Sequence, residues 1–182
     1  MSVRVALIVG SLRQGSYSRA LAMAVKDLAA PGLELVPVEI GDLPLYNPDL
    51  EDQVPASWAR FRQAVEETTA VLFVTPEYNR SIPGALKNAL DVGSRPYGHS
   101  VWQGKPAAIV SVSPGAIGAF GANHHLRQPL VFLNMPTMQQ PEAYIGDVET
   151  LLEDGVLKNG GTRAFLKTFA DAFAEWIEKT KG

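Results

Sequence analysis

The chain has 182 residues and no cysteine. Disulfides, thiolate nucleophiles and Cys-ligated zinc or iron–sulfur centres are therefore excluded, and any redox activity must be carried by a bound cofactor. Charge is also sparse: Asp, Glu, Lys and Arg make up 19% of the residues and the formal net charge is −3. That balance gives no electrostatic footprint for nucleic acid or for an anionic membrane surface. No apolar run approaches the ~18 residues of a membrane span. Only Met1 and Ser2 precede the first apolar run, too few for a signal peptide, so a cytoplasmic protein is expected. Histidine is scarce as well, and His124 and His125 are adjacent. On a helix such neighbours point about 100° apart and cannot share one metal ion in the i, i+4 manner, so neither a metal site nor catalysis is expected of them.

What is present is the composition of a globular protein, 46% hydrophobic, at a length that suits one domain over residues 1–182. Residues 3–9 form an apolar run interrupted only by Arg4, which reads as a strand covered on both faces. Leu21, Val25 and Leu28 then recur at helical spacing, Pro31 and Gly32 stop the helix, and residues 33–40 read as a second strand. Residues 41–55 are rich in Pro, Asp and Asn and read as a surface loop in which Leu45 and Tyr46 pack. Trp58, Phe61, Ala64 and Val65 predict a helix, and residues 70–75 predict a buried strand. Ser81 is placed to cap the next helix, whose first turn holds Pro83. On that helix Lys87 and Asp91 form a surface pair at i, i+4.

Residues 106–113 predict a further buried strand. A helix over 122–132 follows, with Leu126, Leu130 and Val131 on its inner face, and then a short strand at Tyr144 and Ile145. Residues 146–161 are the least legible; a helical turn near 148–152 and a subunit contact are the expectations there. Phe165, Leu166, Phe169, Phe173, Trp176 and Ile177 mark a final amphipathic helix. Five alternations of strand and helix predict a three-layer, doubly wound α/β fold with a five-stranded parallel sheet in the order 2-1-3-4-5. Ligands of such sheets sit beyond the carboxyl ends of the strands, where the chain reverses direction between the first and third.

Three loops border that place. The first, residues 10–19, reads GSLRQGSYSR. Its glycines, serines and arginines precede a helix, which is the equipment for holding a phosphate. Ser16 and Tyr17 stand where a Walker A motif requires Lys and then Ser or Thr, and no G-x-G-x-x-G occurs, so a single phosphate is indicated. Ser11, Ser16 and Ser18 can donate hydrogen bonds and Arg13 can balance charge. The second loop, residues 75–84, reads TPEYNRSIPG, with two prolines fixing its course, so Pro76, Glu77, Tyr78 and Asn79 offer fixed donors and acceptors to a flat ring. Taken alone, it is equally a loop with a packed tyrosine and a solvated glutamate. The third, residues 113–118, has small residues, Ser113 and Gly115 among them, that permit close approach of a ring.

Together these residues resemble the NADPH-dependent FMN reductases, a flavodoxin-like family that includes quinone, azo-dye and chromate reductases. The likeness rests on GSLR at 10–13, Ser16, Ser18-Arg19, PEYN at 76–79, SIPG at 81–84, LKNALD at 86–91, SPG at 113–115 and Leu126-Arg127. It spans nearly the whole chain. It implies that Ser11, Arg13, Ser16 and Ser18 hold the FMN phosphate, that Pro76, Glu77, Tyr78 and Asn79 hold the isoalloxazine, and that Ser113 and Gly115 face its far edge. It further implies NAD(P)H as co-substrate, a quinone-like small-molecule acceptor, and a homodimer or homotetramer. The chain departs from the family in having Ser18 where many members have Asn, and Gly118-Ala119 where a Gly-Gly pair is frequent. Two other functions fit the same fold: a flavodoxin-type electron carrier acting on protein partners, and a flavin-binding module without turnover. A phosphatase of this architecture needs a cysteine, and a receiver domain needs acidic residues where Gly10-Ser11 and Thr75-Pro76 stand.

Overall fold

The computed structural model describes residues 2–180. In chain order these form β1 (Val3–Val9), α1 (Tyr17–Asp27), β2 (Leu33–Pro37), a 3-10 turn (Pro48–Gln53), α2 (Ala56–Glu66), β3 (Ala70–Thr75) and α3 (Gly84–Gly93). There follow β4 (Ala107–Val112), α4 (Phe120–Phe132), β5 (Ala143–Ile145), a second 3-10 turn (Val148–Leu151), β6 (Leu152–Glu153), β7 (Val156–Leu157) and α5 (Gly160–Thr180). Five strands pair in parallel in the order β2-β1-β3-β4-β5, as the alternation predicts. The carboxyl ends of β1, β3 and β4 are thus neighbours, and the three glycine- and proline-bearing loops leave the sheet side by side.

Successive residues of a strand point to opposite faces, so each strand supplies two cores. Ala6, Ile8, Phe73 and Ile109 face Trp58, Phe61, Leu86 and Leu126 of α2, α3 and α4. Val5, Leu7, Leu72 and Val110 face Leu21 and Val25 of α1 and Leu166, Phe169 and Phe173 of α5. Burial of each such phenylalanine contributes roughly 1.5–3 kcal/mol. This explains why the central strands read as unbroken apolar runs: β3 and β4 are buried at every position.

The structure revises several local expectations. β2 ends at Pro37; Val38 donates one more bond to the Leu7 carbonyl, and Val38 and Ile40 continue beyond the ladder into the α2–α4 core. The 41–55 loop contains the first 3-10 turn, capped by Asn47, whose Oδ1 accepts from Asp49 N at 3.0 Å. Within it Tyr46 stacks on Trp58 at 5.4 Å, whereas Leu45 is exposed. Ser81 caps no helix: α3 starts at Gly84 after Pro83, and the Ser81 hydroxyl is bonded to His125 instead. α4 starts at Phe120, two positions early, and its Val131 faces outward while Leu126 and Leu130 are buried. In residues 146–161 the expected turn is present as the second 3-10 turn, and a β6–β7 hairpin follows it. Its tip is Asp154-Gly155, both at positive φ, and Asp-Gly is a strong two-residue hairpin signal.

Candidate functional site

The first loop starts where Gly10 donates to the Val74 carbonyl at 2.9 Å, tying the end of β1 to β3. A Cβ on Gly10 would lie 3.0 Å from Thr75 Oγ1 and 3.2 Å from a Leu86 methyl, a tight fit that would press on both side chains. Ser11, Ser16 and Ser18 are buried. Ser16 is the N-cap of α1, its Oγ accepting from Arg19 N at 3.2 Å, and Ser11 Oγ accepts from Arg13 N at 3.4 Å. Both hydroxyl protons stay free to donate. Among the described residues no protein group accepts from the N–H of Ser16, Tyr17 or Ser18. These are the orphan donors of a helix N-terminus, at the positive pole of its dipole. Three such N–H groups, three hydroxyls and a guanidinium fit a phosphate.

Arg13 stands over the Tyr17 ring, 5.4 Å from its centroid. The Tyr17 hydroxyl donates to Glu149 Oε1 at 2.6 Å, and this hydrogen bond raises the phenol above its ordinary value. The second 3-10 turn thereby braces the loop from the far end of the chain. No local pattern in the residues around Tyr17 signals that brace.

The second loop folds back on itself, Tyr78 and Ser81 each donating to the other's carbonyl at 2.9 and 3.0 Å. Asn79 and Arg80 form its tip at φ 50° and 65°. The Glu77 carboxylate accepts from Ala122 N of α4 at 3.0 Å. In the third loop Ser113 Oγ donates to the Gly115 carbonyl at 2.9 Å. Ser111 Oγ donates to the Gly118 carbonyl at 2.8 Å, and Asn123 Nδ2 donates to Ser111 Oγ at 3.2 Å. Gly118 has φ 58° and a Cβ there would lie 2.5 Å from the Tyr144 carbonyl carbon. Ala119, at the second position of the frequent Gly-Gly pair, takes φ 59°, the left-handed backbone that a glycine adopts freely.

The three loops enclose a cavity of about 160 Å³. Ser11, Arg13, Ser16, Ser18, Pro76, Glu77, Tyr78 and Ser113 all line it, brought together from three separate stretches of chain. Asn79 and Gly115 do not; the first is at the exposed turn tip and the second is one residue beyond Pro114, which does line it. Tyr17 and Val112 also line it, and neither was singled out in the sequence. A larger cavity of about 600 Å³ lies across Tyr17, between α1 and the β6–β7 hairpin. Its walls include Met23, Leu152 and Val156, and it shares Ser16 and Tyr17 with the smaller one, which alone of the two is also lined by Ser11, Arg13 and Ser18. His124 Nε2 is hydrogen-bonded to Tyr144 Oη at 2.9 Å and His125 Nδ1 to Ser81 Oγ at 2.7 Å. No group of three or more metal-ligating side chains occurs among the described residues.

Residues 3–150 match the sequence profile of the NADPH-dependent FMN reductases. The chain belongs to that family. The oxidoreductase class, with FMN as cofactor and reduced nicotinamide as co-substrate, follows from membership and agrees with the loop chemistry. The chain is 61% identical over 175 residues to a quinone reductase of Pseudomonas putida, covering 96% of this chain and 94% of that one. It is 44% identical over 178 residues to a 2-hydroxy-1,4-benzoquinone reductase of a Burkholderia species, covering 97% of each. Among solved structures it is similar to FerB, a flavoenzyme NAD(P)H:(acceptor) oxidoreductase of Paracoccus denitrificans, with TM-score 0.91, 45% identity and 98% of each chain covered. Flavodoxin of Pseudomonas aeruginosa, at TM-score 0.57 and 18% identity over 99% of this chain and 100% of that one, shares the fold alone.

Proposed function

We propose that this chain is a quinone reductase in which the 160 Å³ cavity holds the phosphate end of FMN and the adjoining loops receive its ring. The observation that carries the reading is the convergence of unpartnered helix N–H groups, buried serines and Arg13 beside a fixed, proline-bounded loop. Ser11, Arg13, Ser16 and Ser18 bind the phosphate; residues 76–79, with Ser113 and Gly115, border the isoalloxazine. The chemistry supplied by bound FMN is acceptance of a hydride from NAD(P)H and its delivery to an oxidised acceptor. The protein binds, orients and keeps the ring edge against fixed donors; no side-chain nucleophile is used. The names of the relatives from Pseudomonas and Burkholderia support a quinone as the acceptor, with azo compounds and free flavin as further acceptors to assay.

We read residues 1–182 as one FMN-binding domain that works in the cytoplasm; no helix among the described residues is long and apolar enough to cross a membrane. A homodimer or homotetramer is supported by exposed apolar side chains at the two ends of α4: Ile117 and Phe120 at its start are 56% and 49% exposed, and Val131 and Phe132 at its end 76% and 89%. Anaerobic titration of the FMN-loaded protein with NADPH tests the function. Rapid bleaching of the flavin, reversed by a benzoquinone, is the expected result. Bound flavin that NADPH leaves oxidised points to the electron-carrier alternative, and protein that takes up no FMN overturns the reading.

A further inference from the structure

Helix α4 begins without a cap of its own. The residue before it, Ala119, has no side-chain acceptor, so the N–H of Ala122, third in the helix, lacks the local partner that Ser, Thr, Asp or Asn supplies. The acceptor comes from another loop: Glu77 Oε2 takes that N–H at 3.0 Å across 45 residues of chain. Only 12% of the Glu77 side chain is exposed. Its charge sits at the positive pole of a 13-residue helix, where a carboxylate is favoured. Gly121 makes room for the approach, because a Cβ there would lie 2.9 Å from Glu77 Oε2. A second tie joins the same two elements, Ser81 Oγ and His125 Nδ1 being 2.7 Å apart. Between the ties run the residues whose backbone closes the turn at Tyr78 and Ser81.

We propose that Glu77 is a positioning residue that acts through α4: by capping the helix from outside, it fixes residues 76–78 where they receive the flavin ring. One carboxylate oxygen is committed to the helix and the other, Oε1, accepts from Arg80 Nη1 at 3.3 Å within the loop, so the ring-facing work falls to the backbone that the carboxylate holds. This rests on the FMN reading above. The same helix grips the third loop through Asn123 and Ser111, so α4 is the common support of both ring-side loops.

The test measures FMN and riboflavin affinity of the purified full-length protein by quenching of flavin fluorescence. Glu77→Ala is expected to weaken both ligands by the same factor, about tenfold, the scale of one lost helix cap. Glu77→Gln keeps a neutral acceptor for the Ala122 N–H and is expected to restore most of the affinity. Gly121→Ala displaces the carboxylate without altering it and should reproduce the Glu77→Ala loss; with far-UV circular dichroism as the folding check, it carries the test if Glu77→Ala does not fold. A folded Glu77→Ala protein with unchanged flavin affinity overturns the inference. So does a loss confined to FMN, or a Glu77→Gln protein as weak as Glu77→Ala, which would assign the effect to the ion pair with Arg80 and not to the Ala122 hydrogen bond. Wild-type protein that quenches no flavin fluorescence overturns the FMN reading itself, whereas wild-type binding with unaffected variants overturns this inference alone.

Discussion

The loop after β1 and the loop after β3 meet at one cavity but are held by different means. The first is built locally: Ser16 caps the helix it precedes, Ser11 takes the Arg13 N–H, and the remaining donors are left unpartnered. The second is held from a distance by Ala122 and His125 of α4, with its own N–H and C=O groups paired across the turn. Unspent donors suit a ligand that brings its own charge, as a phosphate does. A braced backbone suits a ring that must be placed against fixed dipoles. The first loop, the proposed phosphate side, is chemically open and built locally, while the second, the proposed ring side, depends on packing between elements.

Three experiments test that contrast. The largest effect is expected on the ring side from Gly118→Val, where a side chain meets the Tyr144 backbone and φ is 58°. It should lower stability by roughly 3 kcal/mol or more, read from urea unfolding; a loss below about 0.5 kcal/mol, the range of a plain surface change, would show that the third loop is not braced as described. On the phosphate side Arg13→Ala is expected to leave stability nearly unchanged, since Arg13 is exposed, yet to weaken FMN by about tenfold, one charge-assisted contact. Riboflavin, which has no phosphate, should be unaffected, and equal loss for both ligands contradicts the role given to Arg13.

The smallest effect is one of pH. Burial, then the neighbouring Glu142, pushes the Tyr144 phenol from 10.0 up to about 12. Between those values the unfolded chain has released a proton that the folded chain keeps, so folding stability falls as pH rises through this window. Tyr144→Phe should flatten that part of the stability profile relative to wild type. A parallel decline in both proteins would remove Tyr144 from the account.

The five-stranded sheet and its order were legible because burial on both faces leaves an unmistakable apolar run in each central strand, and because β3 and β4 carry no polar interruption before Thr75 and Ser111. The donor-rich first loop was legible for a related reason: its glycines, serines and arginines are contiguous around one helix start. That Asn79 stands at the turn tip was not legible, because a PEYN string does not tell which of its residues turns outward. The β6–β7 hairpin carried a readable Asp154-Gly155 signal inside strands of two residues each, too short for any alternation to register.

The layered α/β fold, the donor-rich composition of the first loop and the dependence of any redox chemistry on a cofactor are all written in the sequence alone. Each of these follows from residue type and spacing over a few neighbouring positions. Tertiary structure alone decided that Glu77 faces Ala122, that Ser81 answers His125 and that Tyr17 reaches Glu149, contacts spanning 45, 44 and 132 residues. Such pairings leave no periodic trace, since a carboxylate or hydroxyl in a loop has the same local signature whether it meets water or the end of a distant helix.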